Sequence, residues 1–539
     1  MKKRNLQKLV ATLLVGVMAM GCFAGCGGKE EEDTKRNANL YNEVAGIEGY
    51  TAFENQVTLQ IPVYNRGAQG IDPVTDNGYV DYVQKNFGDK YNIKMEFVPI
   101  TRSDVMTDYA LLASTNNIPT ILMEYDYPKV TQWAEDGYLQ TVDLDLFANI
   151  APTYYQRMVD LNQLAYTKIN SDTYFVLAER PYYDTTYTHC TFVRMDWLKQ
   201  VGINEVPKSY AEYCTAMDKI IEAGIAKHPA GGTMVTAAYV ANFGFRDYPV
   251  DEAEWAQHSS LGTPSFSWEA TRRLIKRANS EYNKGYTDPE YYITDAETAK
   301  AKFINGETYS YGGYMSASVD WLKAFYAANP DAELAIASNY GGVEAGVQEF
   351  PQIRADNPYG MTIGFGSDAT GEEVKAAMMY MEWCTQPDVL YTLQHSDWNN
   401  YNNSKDFWCV TIESVKAATI EEAIGAIAPT DGVPEKFQAD IKQQMIDNYY
   451  ELRKIADEGH AYTDPAFSAS VAAESEYNAT LLSKYIEYYD KLVMCKPEEF
   501  DALYEQFSKE YLSAGYQAII DERLELYKAG KTTKLPWNK

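Results

Sequence analysis

Cys22 and Cys26 lie four residues apart in "MGCFAGCGGKEEEDTK", residues 20–35, a spacing that redox or metal chemistry could use. Five further cysteines, Cys190, Cys214, Cys384, Cys409 and Cys495, are too widely spread for a disulfide framework or a zinc motif. They read as buried small hydrophobes. The histidines, among them His189, His228 and His395, form no His-Glu-x-x-His pair. No Gly-x-Ser-x-Gly elbow and no Gly-x-x-x-x-Gly-Lys loop occurs, so an activated serine and a phosphate cradle both lack their sequence sign. The 76 Asp and Glu residues could hide a glycosidase pair, which needs two carboxylates about 5–9.5 Å apart. Sequence spacing neither supports nor excludes such a pair.

The flanks of the two cysteines decide between them. Lys2, Lys3, Arg4 and Lys8 precede Leu9 to Met20, an apolar run broken only by Thr12 and Gly16. That run is shorter than the roughly 20 residues a bilayer span requires, so it reads as an export signal. Phe23-Ala24-Gly25-Cys26 resembles the bacterial lipobox, which assigns residues 1–25 to a discarded signal and Cys26 to lipidation. Cys22 fits less well because Met20 stands where a small residue is wanted. Two acyl chains at about 0.8 kcal/mol per CH₂ would anchor the chain stably. Gly27 to Asn39 is small, charged and nearly free of apolar residues, and the whole of 26–54 reads as lipidated Cys and flexible tether. The expected location is the outer face of the bacterial cytoplasmic membrane, lipid-anchored.

Removing the signal leaves 43 Lys and Arg against the 76 acidic residues, a net charge of −33. Nucleic acid is thereby excluded as an expected partner, and the membrane is reached through the lipid anchor only. At 539 residues, 46% of them hydrophobic, the chain has material for two or more globular units.

The elements alternate. Val57 to Val63, "VTLQIPV", and Ile93 to Ile100, "IKMEFVPI", carry strand patterns, and Ser103 or Asp104 can cap a helix containing Val105, Tyr109 and Leu112. "NNIPTILM" returns to strand, Trp133 lies in a helical stretch, and "DGY" at Asp136 to Tyr138 stops it. Ser209 with Glu212 and Thr370 with Glu373 are spaced as capping boxes. "GMTIGFG", Gly360 to Gly366, reads as a buried strand, and beyond Pro434 the chain is patterned almost wholly as helix. Strand and helix in turn predict an α/β fold with a mainly parallel sheet. Trp133, Trp197 and Trp383 sit on helical faces and are expected to pack, Asp196 to cap a helix, and "DPVTDNG", Asp72 to Gly78, to form a surface turn.

Four segments in order resemble the family 1 extracellular solute-binding proteins, the lipoprotein component of carbohydrate-type ABC importers. They are "LLASTNNIPTILMEYDYPKVTQWAEDGYLQTVDL", Leu111 to Leu144, with Thr120 in place of the usual Asp; "FVRMDWLKQVGINEVPKSYAEY", Phe192 to Tyr213; "AKFINGETYSYGGYM", Ala301 to Met315; and the tail from Tyr488 to Gly530. Some relatives carry a calcium loop rich in Asp and Asn where this chain has "KHPAGGTM", Lys227 to Met234, without a carboxylate. That calcium site, which needs six to eight oxygens, is therefore expected to be absent.

The resemblance implies a two-lobed periplasmic-binding-protein-like fold of type II, with hinge crossings near Val176 to Tyr187, Ala335 to Gly342 and Tyr401 to Val410, and a helical C-terminal region. Lobe 1 would comprise 55–178 plus 342–402, and lobe 2 would comprise 179–341 plus 403–539. It further implies capture of a sugar or oligosaccharide in an interlobe cleft and delivery to ABC transporter permease subunits, by a monomer without cofactor, metal or catalysis. An exported polysaccharide-acting enzyme and a sensor or adhesin lipoprotein are the alternatives. Sugar clefts combine aromatic platforms with planar polar groups. The candidates at the implied cleft loops are Tyr64, Asn65 and Arg66; Glu124, Tyr125 and Asp126; Arg180, Tyr182, Tyr183 and Asp184; Tyr311, Tyr314 and Trp321; and Trp398, Asn399 and Tyr401.

Overall fold

The computed structural model describes residues 46–65, 72–102, 104–179, 189–236, 251–260, 262–314, 318–339, 351–355, 357–395 and 432–532. The expected signal, the lipidation site and residues 26–45 of the expected tether lie outside them; its remainder, 46–54, packs on Tyr91, with Ile47 N–H donating to the Tyr91 hydroxyl (2.9 Å), Phe53 N–H to the Tyr91 carbonyl (3.0 Å) and Tyr50 edge-on to the ring at 5.8 Å. In chain order the strands are β1 Val57–Asn65, β2 Ile93–Thr101, β3 Ile121–Glu124, β4 Leu139–Gln140, β5 Lys168–Ile169, β6 Asp172–Thr173, β7 Val176–Glu179, β8 His189–Arg194, β9 Ser310–Tyr314, β10 Leu334–Ile336, β11 Ile353–Arg354, β12 Tyr359–Gly366 and β13 Ala461–Tyr462. The chain divides into two compact units, Met1–Ile121 with Asp368–Trp408, and Leu122–Ser367 with Cys409–Lys539.

In the first unit β1 and β2 pair in parallel from Val57 opposite Ile93 to Asn65 opposite Thr101. A parallel pair needs a crossover, and a continuous helical stretch over 78–91 supplies it. The segment expected to be a surface turn is one, Asp76 N–H donating to the Pro73 carbonyl (3.1 Å), and its Asn77 caps the helix that follows: Asn77 is fully buried, its side chain accepting from the backbone N–H of Tyr79 (2.9 Å) and Val80 (3.2 Å) and donating to the Pro73 carbonyl (2.9 Å). Helix Gly371–Cys384 opens with the expected capping box, Thr370 Oγ1 accepting from Glu373 N–H and the Glu373 carboxylate accepting from Thr370 N–H. It brings Tyr380 and Trp383 onto Phe87, both at ring-centroid distances of 5.4 Å. Trp383 is a packing residue, as its helical spacing predicts.

The second unit holds a sheet in the order β3-β12-β4, with β7 also on β12. All eight residues of β12 are buried, which is why its sequence is an unbroken apolar run with small residues. At Gly364 a Cβ would lie 2.7 Å from the Leu139 side chain, so only glycine lets β4 approach. A separate sheet in the order β10-β8-β9 is antiparallel throughout. β12 also runs antiparallel to β4 and β7, so the expected mainly parallel sheet is found in β1–β2 and not in these registers. Strand order in sequence did not fix direction, because more than a hundred residues separate β8 from β9 and a connection that long can return either way.

Asp196 corrects a second expectation. It caps nothing, since Arg194 holds the N-cap position without a side-chain cap bond. Asp196 takes both Nε (2.9 Å) and Nη2 (2.6 Å) of Arg194, whose guanidinium also lies over the Trp197 ring at 4.6 Å.

Beyond Pro434 the described chain is mostly helical, as expected: Glu435–Asp457, Ala472–Met494, Phe500–Tyr511 and Gln517–Lys528, with a π-helical turn at Leu512–Tyr516. Much of the tyrosine content is spent here. Phe266 is ringed by Tyr485, Tyr488, Tyr504 and Tyr511 at 5.2–6.3 Å, and the hydroxyls of Tyr504 and Tyr511 donate to the backbone carbonyls of Phe266 and Pro264. These rings fill a core and satisfy its carbonyls. Helix Ala472–Met494 has no capping side chain of its own at Val471. Glu522 accepts from the N–H groups of Ala472 (3.1 Å) and Ala473 (2.9 Å), and Glu135 accepts from Ser470 N–H (3.1 Å) and its hydroxyl. Two carboxylates from distant elements therefore meet the positive end of the helix.

Within helix Glu269–Asn283, burial pushes the Glu281 carboxyl up to about 7, against opposing pulls from Tyr210, Arg277 and Lys284. The native state then holds this proton more tightly than the unfolded chain. Stability from this site is complete below the ordinary value of 4.5 and is lost as pH rises through about 7. Glu281→Gln should therefore gain up to about 3 kcal/mol over wild type at pH 8 and nothing at pH 4. Denaturant midpoints across that range check it; a pH-independent difference would remove Glu281 as the titrating group.

Candidate ligand-binding site

The antiparallel register of the second sheet gathers three chain segments at one edge. Tyr314, the last residue of β9, stands opposite His189, the first of β8. Ala337 N–H donates to the Thr191 carbonyl (2.8 Å), carrying the β10 chain past Ile336 toward the same end. Neighbouring strands are about 4.8 Å apart, so the start of β8 and the ends of β9 and β10 share a front about 10 Å wide. The described chain ends that border the loops expected to bear ligand residues, at His189, at Tyr314 and beyond Ile336, thus lie at one sheet end. Arg180, Tyr182, Tyr183 and Asp184 lie outside the described residues, as does the side chain of Tyr314. Of the other aromatics proposed on this stretch, Trp321 is corrected: it is buried against Phe192 (5.1 Å) and Phe303 (5.6 Å) and belongs to the core. Tyr311 is half-buried and stacks on Phe303.

Polar groups hold this edge. Gln444, Asn448 and Glu451 lie at i, i+4 and i+7 on helix Glu435–Asp457 and so share a face. Gln444 Oε1 accepts from Ile336 N–H (2.7 Å). Glu451 accepts from Ser338 Oγ (3.0 Å), Asn339 N–H (2.8 Å) and Asn339 Nδ2 (2.6 Å), and Asn339 Nδ2 also reaches Asn448 Oδ1 (2.9 Å). The helix therefore reads the backbone of the outgoing strand and fixes where its loop starts. Sequence reasoning missed this stripe. Its signal was three amide and acid side chains at helical spacing among the buried Ile441, Met445 and Leu452.

A model of the bacterial extracellular solute-binding protein family matches residues 72–389. The chain belongs to this family. Solved structures agree in fold: an extracellular solute-binding protein from Bifidobacterium longum subsp. infantis (12% identity, TM-score 0.61), a solute-binding protein described as HMO binding and ABC-transporter associated from Bifidobacterium longum infantis (12%, 0.59), and the alginate-binding protein AlgQ2 without calcium ion (11%, 0.57). Each alignment covers 89% of this chain and the whole of the other. No curated protein matches the sequence.

The remaining site candidates of this solute-binding protein occupy two further places. In the second unit Glu124 is buried at the end of β3, its Oε1 accepting from the backbone N–H of Tyr125 (2.9 Å) and Asp126 (3.3 Å). It shapes its own loop. Asp126 is half-buried and lies 3.3 Å from Lys129 Nζ. In the first unit Tyr64 is 0% exposed, with the Arg102 guanidinium over its ring at 5.1 Å, and Arg102 N–H donates to the Asn65 carbonyl (2.9 Å). Thr120 accepts from Gln60 N–H (3.2 Å) within the same unit. Arg66, Trp398, Asn399 and Tyr401 lie outside the described residues. Among the described residues no group of three His, Cys, Asp or Glu side chains could hold a metal, and no helix is long and apolar enough to cross a membrane.

Proposed function

We propose that this solute-binding protein captures a sugar or oligosaccharide and delivers it to the permease of an ABC transporter, working as a monomer held outside the cell by lipid on Cys26. The observation that carries the reading is the meeting of three loop-bearing chain ends at one edge of the β10-β8-β9 sheet, braced by Glu451 and Asn448. Loops on a rigid scaffold are where binding residues concentrate. The loops of Tyr182, Tyr183, Asp184 and Tyr314 would supply rings and planar polar groups there, and Asp126, Arg66, Trp398 and Tyr401 would supply others elsewhere; Tyr64 and Glu124 would act by positioning. The names of two structural relatives, one binding HMO and one alginate, add support for saccharide.

A thermal-shift panel of oligosaccharides tests this, followed by product analysis of any hit. A ligand at 100 times its Kd should add about 2.7 kcal/mol of stability. Release of smaller sugars on long incubation would establish an enzyme instead. The anchor is tested separately: Cys26→Ala should move the protein into the medium, and Cys22→Ala should leave it with the membrane.

A further inference from the structure

Beside the polar stripe of helix Glu435–Asp457 lies a groove of about 500 Å³, lined by Lys208, Ser338, Tyr450, Glu451 and Lys454. Ligand sites commonly span about 300–1,000 Å³, so the size suits a short saccharide segment. Tyr450 is 50% exposed, whereas most tyrosines among the described residues are buried. Its ring packs edge-on against the buried Tyr449 at 5.2 Å and 67°, which holds it in place while half of it faces water. A braced, half-exposed ring is what an apolar C–H face of a sugar needs.

The charges select among sugars. Both oxygens of Glu451 are occupied by Ser338 and Asn339 from the protein itself. Lys208 Nζ lies 2.9 Å from Glu205, and its backbone N–H donates to Glu212 (2.7 Å). Glu205 foremost, with Glu212 and Glu451, holds the Lys208 ammonium above its ordinary value. Three carboxylates thus act on the Lys208 ammonium. An anionic ligand would find that positive charge already answered, whereas hydroxyl groups can still accept from ammonium N–H.

We infer that this groove is a subsite for a neutral saccharide residue, stacked on Tyr450 and hydrogen-bonded by Lys208, Lys454 and Ser338. The inference rests on the saccharide-capture reading and sharpens it to uncharged sugars.

The test is calorimetric titration of the full chain with oligomers of glucose, galactose, xylose and N-acetylglucosamine, and with uronate oligomers, at low and high salt. Tyr450→Ala should weaken the best neutral ligand about tenfold or more while Tyr450→Phe stays near wild type, with binding insensitive to salt. Thermal unfolding should be unchanged in both variants, since the ring is half in water. Wild-type affinity in Tyr450→Ala would overturn the subsite and leave saccharide capture standing. Salt-dependent binding of uronate oligomers alone would overturn its neutrality. If no saccharide of either kind binds the wild-type chain, the subsite and the capture reading fall together.

Discussion

Replacing Arg523 with Met is expected to cost about 3–5 kcal/mol, because it leaves a buried carboxylate and two carbonyls without their partner. Arg523 is 3% exposed. Its Nη1 lies 2.6 Å from Glu474, Nε donates to the Ala256 carbonyl (2.9 Å), Nη2 donates to the Ser259 carbonyl, and the guanidinium covers Phe467 at 4.8 Å. Next to it His258 stacks on Trp268 (5.4 Å, 6° between planes) and its Nδ1 is 2.8 Å from the Tyr516 hydroxyl. Burial, aided by the nearby Arg523 charge, pushes the His258 imidazole down to about 3, so it stays neutral and Arg523 is the cation of the node. Arg523→Lys should rescue little, since one ammonium cannot replace a planar fork serving three acceptors. The double variant Arg523→Met, Glu474→Leu should recover part of the loss by removing the stranded charge. Trp255 and Trp268 flank the node, so their fluorescence in urea reports it; a midpoint equal to wild type would show that the pair is not needed.

Phe266→Ala is expected to cost a further comparable amount, about 3–5 kcal/mol, by opening a cavity among four tyrosines. Two of those rings are anchored by their own hydroxyls: Tyr511 donates to the Pro264 carbonyl at 2.7 Å and Tyr504 to the Trp268 carbonyl at 3.2 Å. Anchored walls cannot collapse inward, which keeps the cost near the upper end of the range for such truncations. Phe266→Leu should lose less. Hydrogen exchange along 480–516 should rise in Phe266→Ala and not in Tyr450→Ala; equal protection in the two variants would refute the cavity argument.

Where packing is local, the sequence was readable. β1 and β2 showed their apolar faces, Thr370 and Glu373 lay three apart as a capping box requires, and Trp133, Trp197 and Trp383 recurred with the apolar positions of their helices and are buried. What failed depended on partners that residue spacing does not assign. Asp196 looks like a cap until Arg194, two residues before it, is seen to take both its oxygens. Trp321 reads as a platform because nothing in its neighbourhood announces Phe192, more than a hundred residues earlier. The same limit holds for the site. Tyrosine is so frequent here that its presence in a loop carries little information, and the residues bracing the sheet edge, Asn448 and Glu451, are ordinary helix residues until paired with Ser338 and Asn339. Segment order revealed the family because order survives when individual positions drift.

The partners of residues 255–268 have a consequence for how the chain acquires its shape. Trp255 Nε1 waits for the Thr463 carbonyl, Ser259 for Asp464, 205 positions later, and Pro264 for Tyr511. Closing a loop of that length costs about 5 kcal/mol of chain entropy before any contact repays it. Until the final helices emerge, these three groups lack the partners they have in the fold. A chain whose middle is completed by its end finishes folding only when both are present.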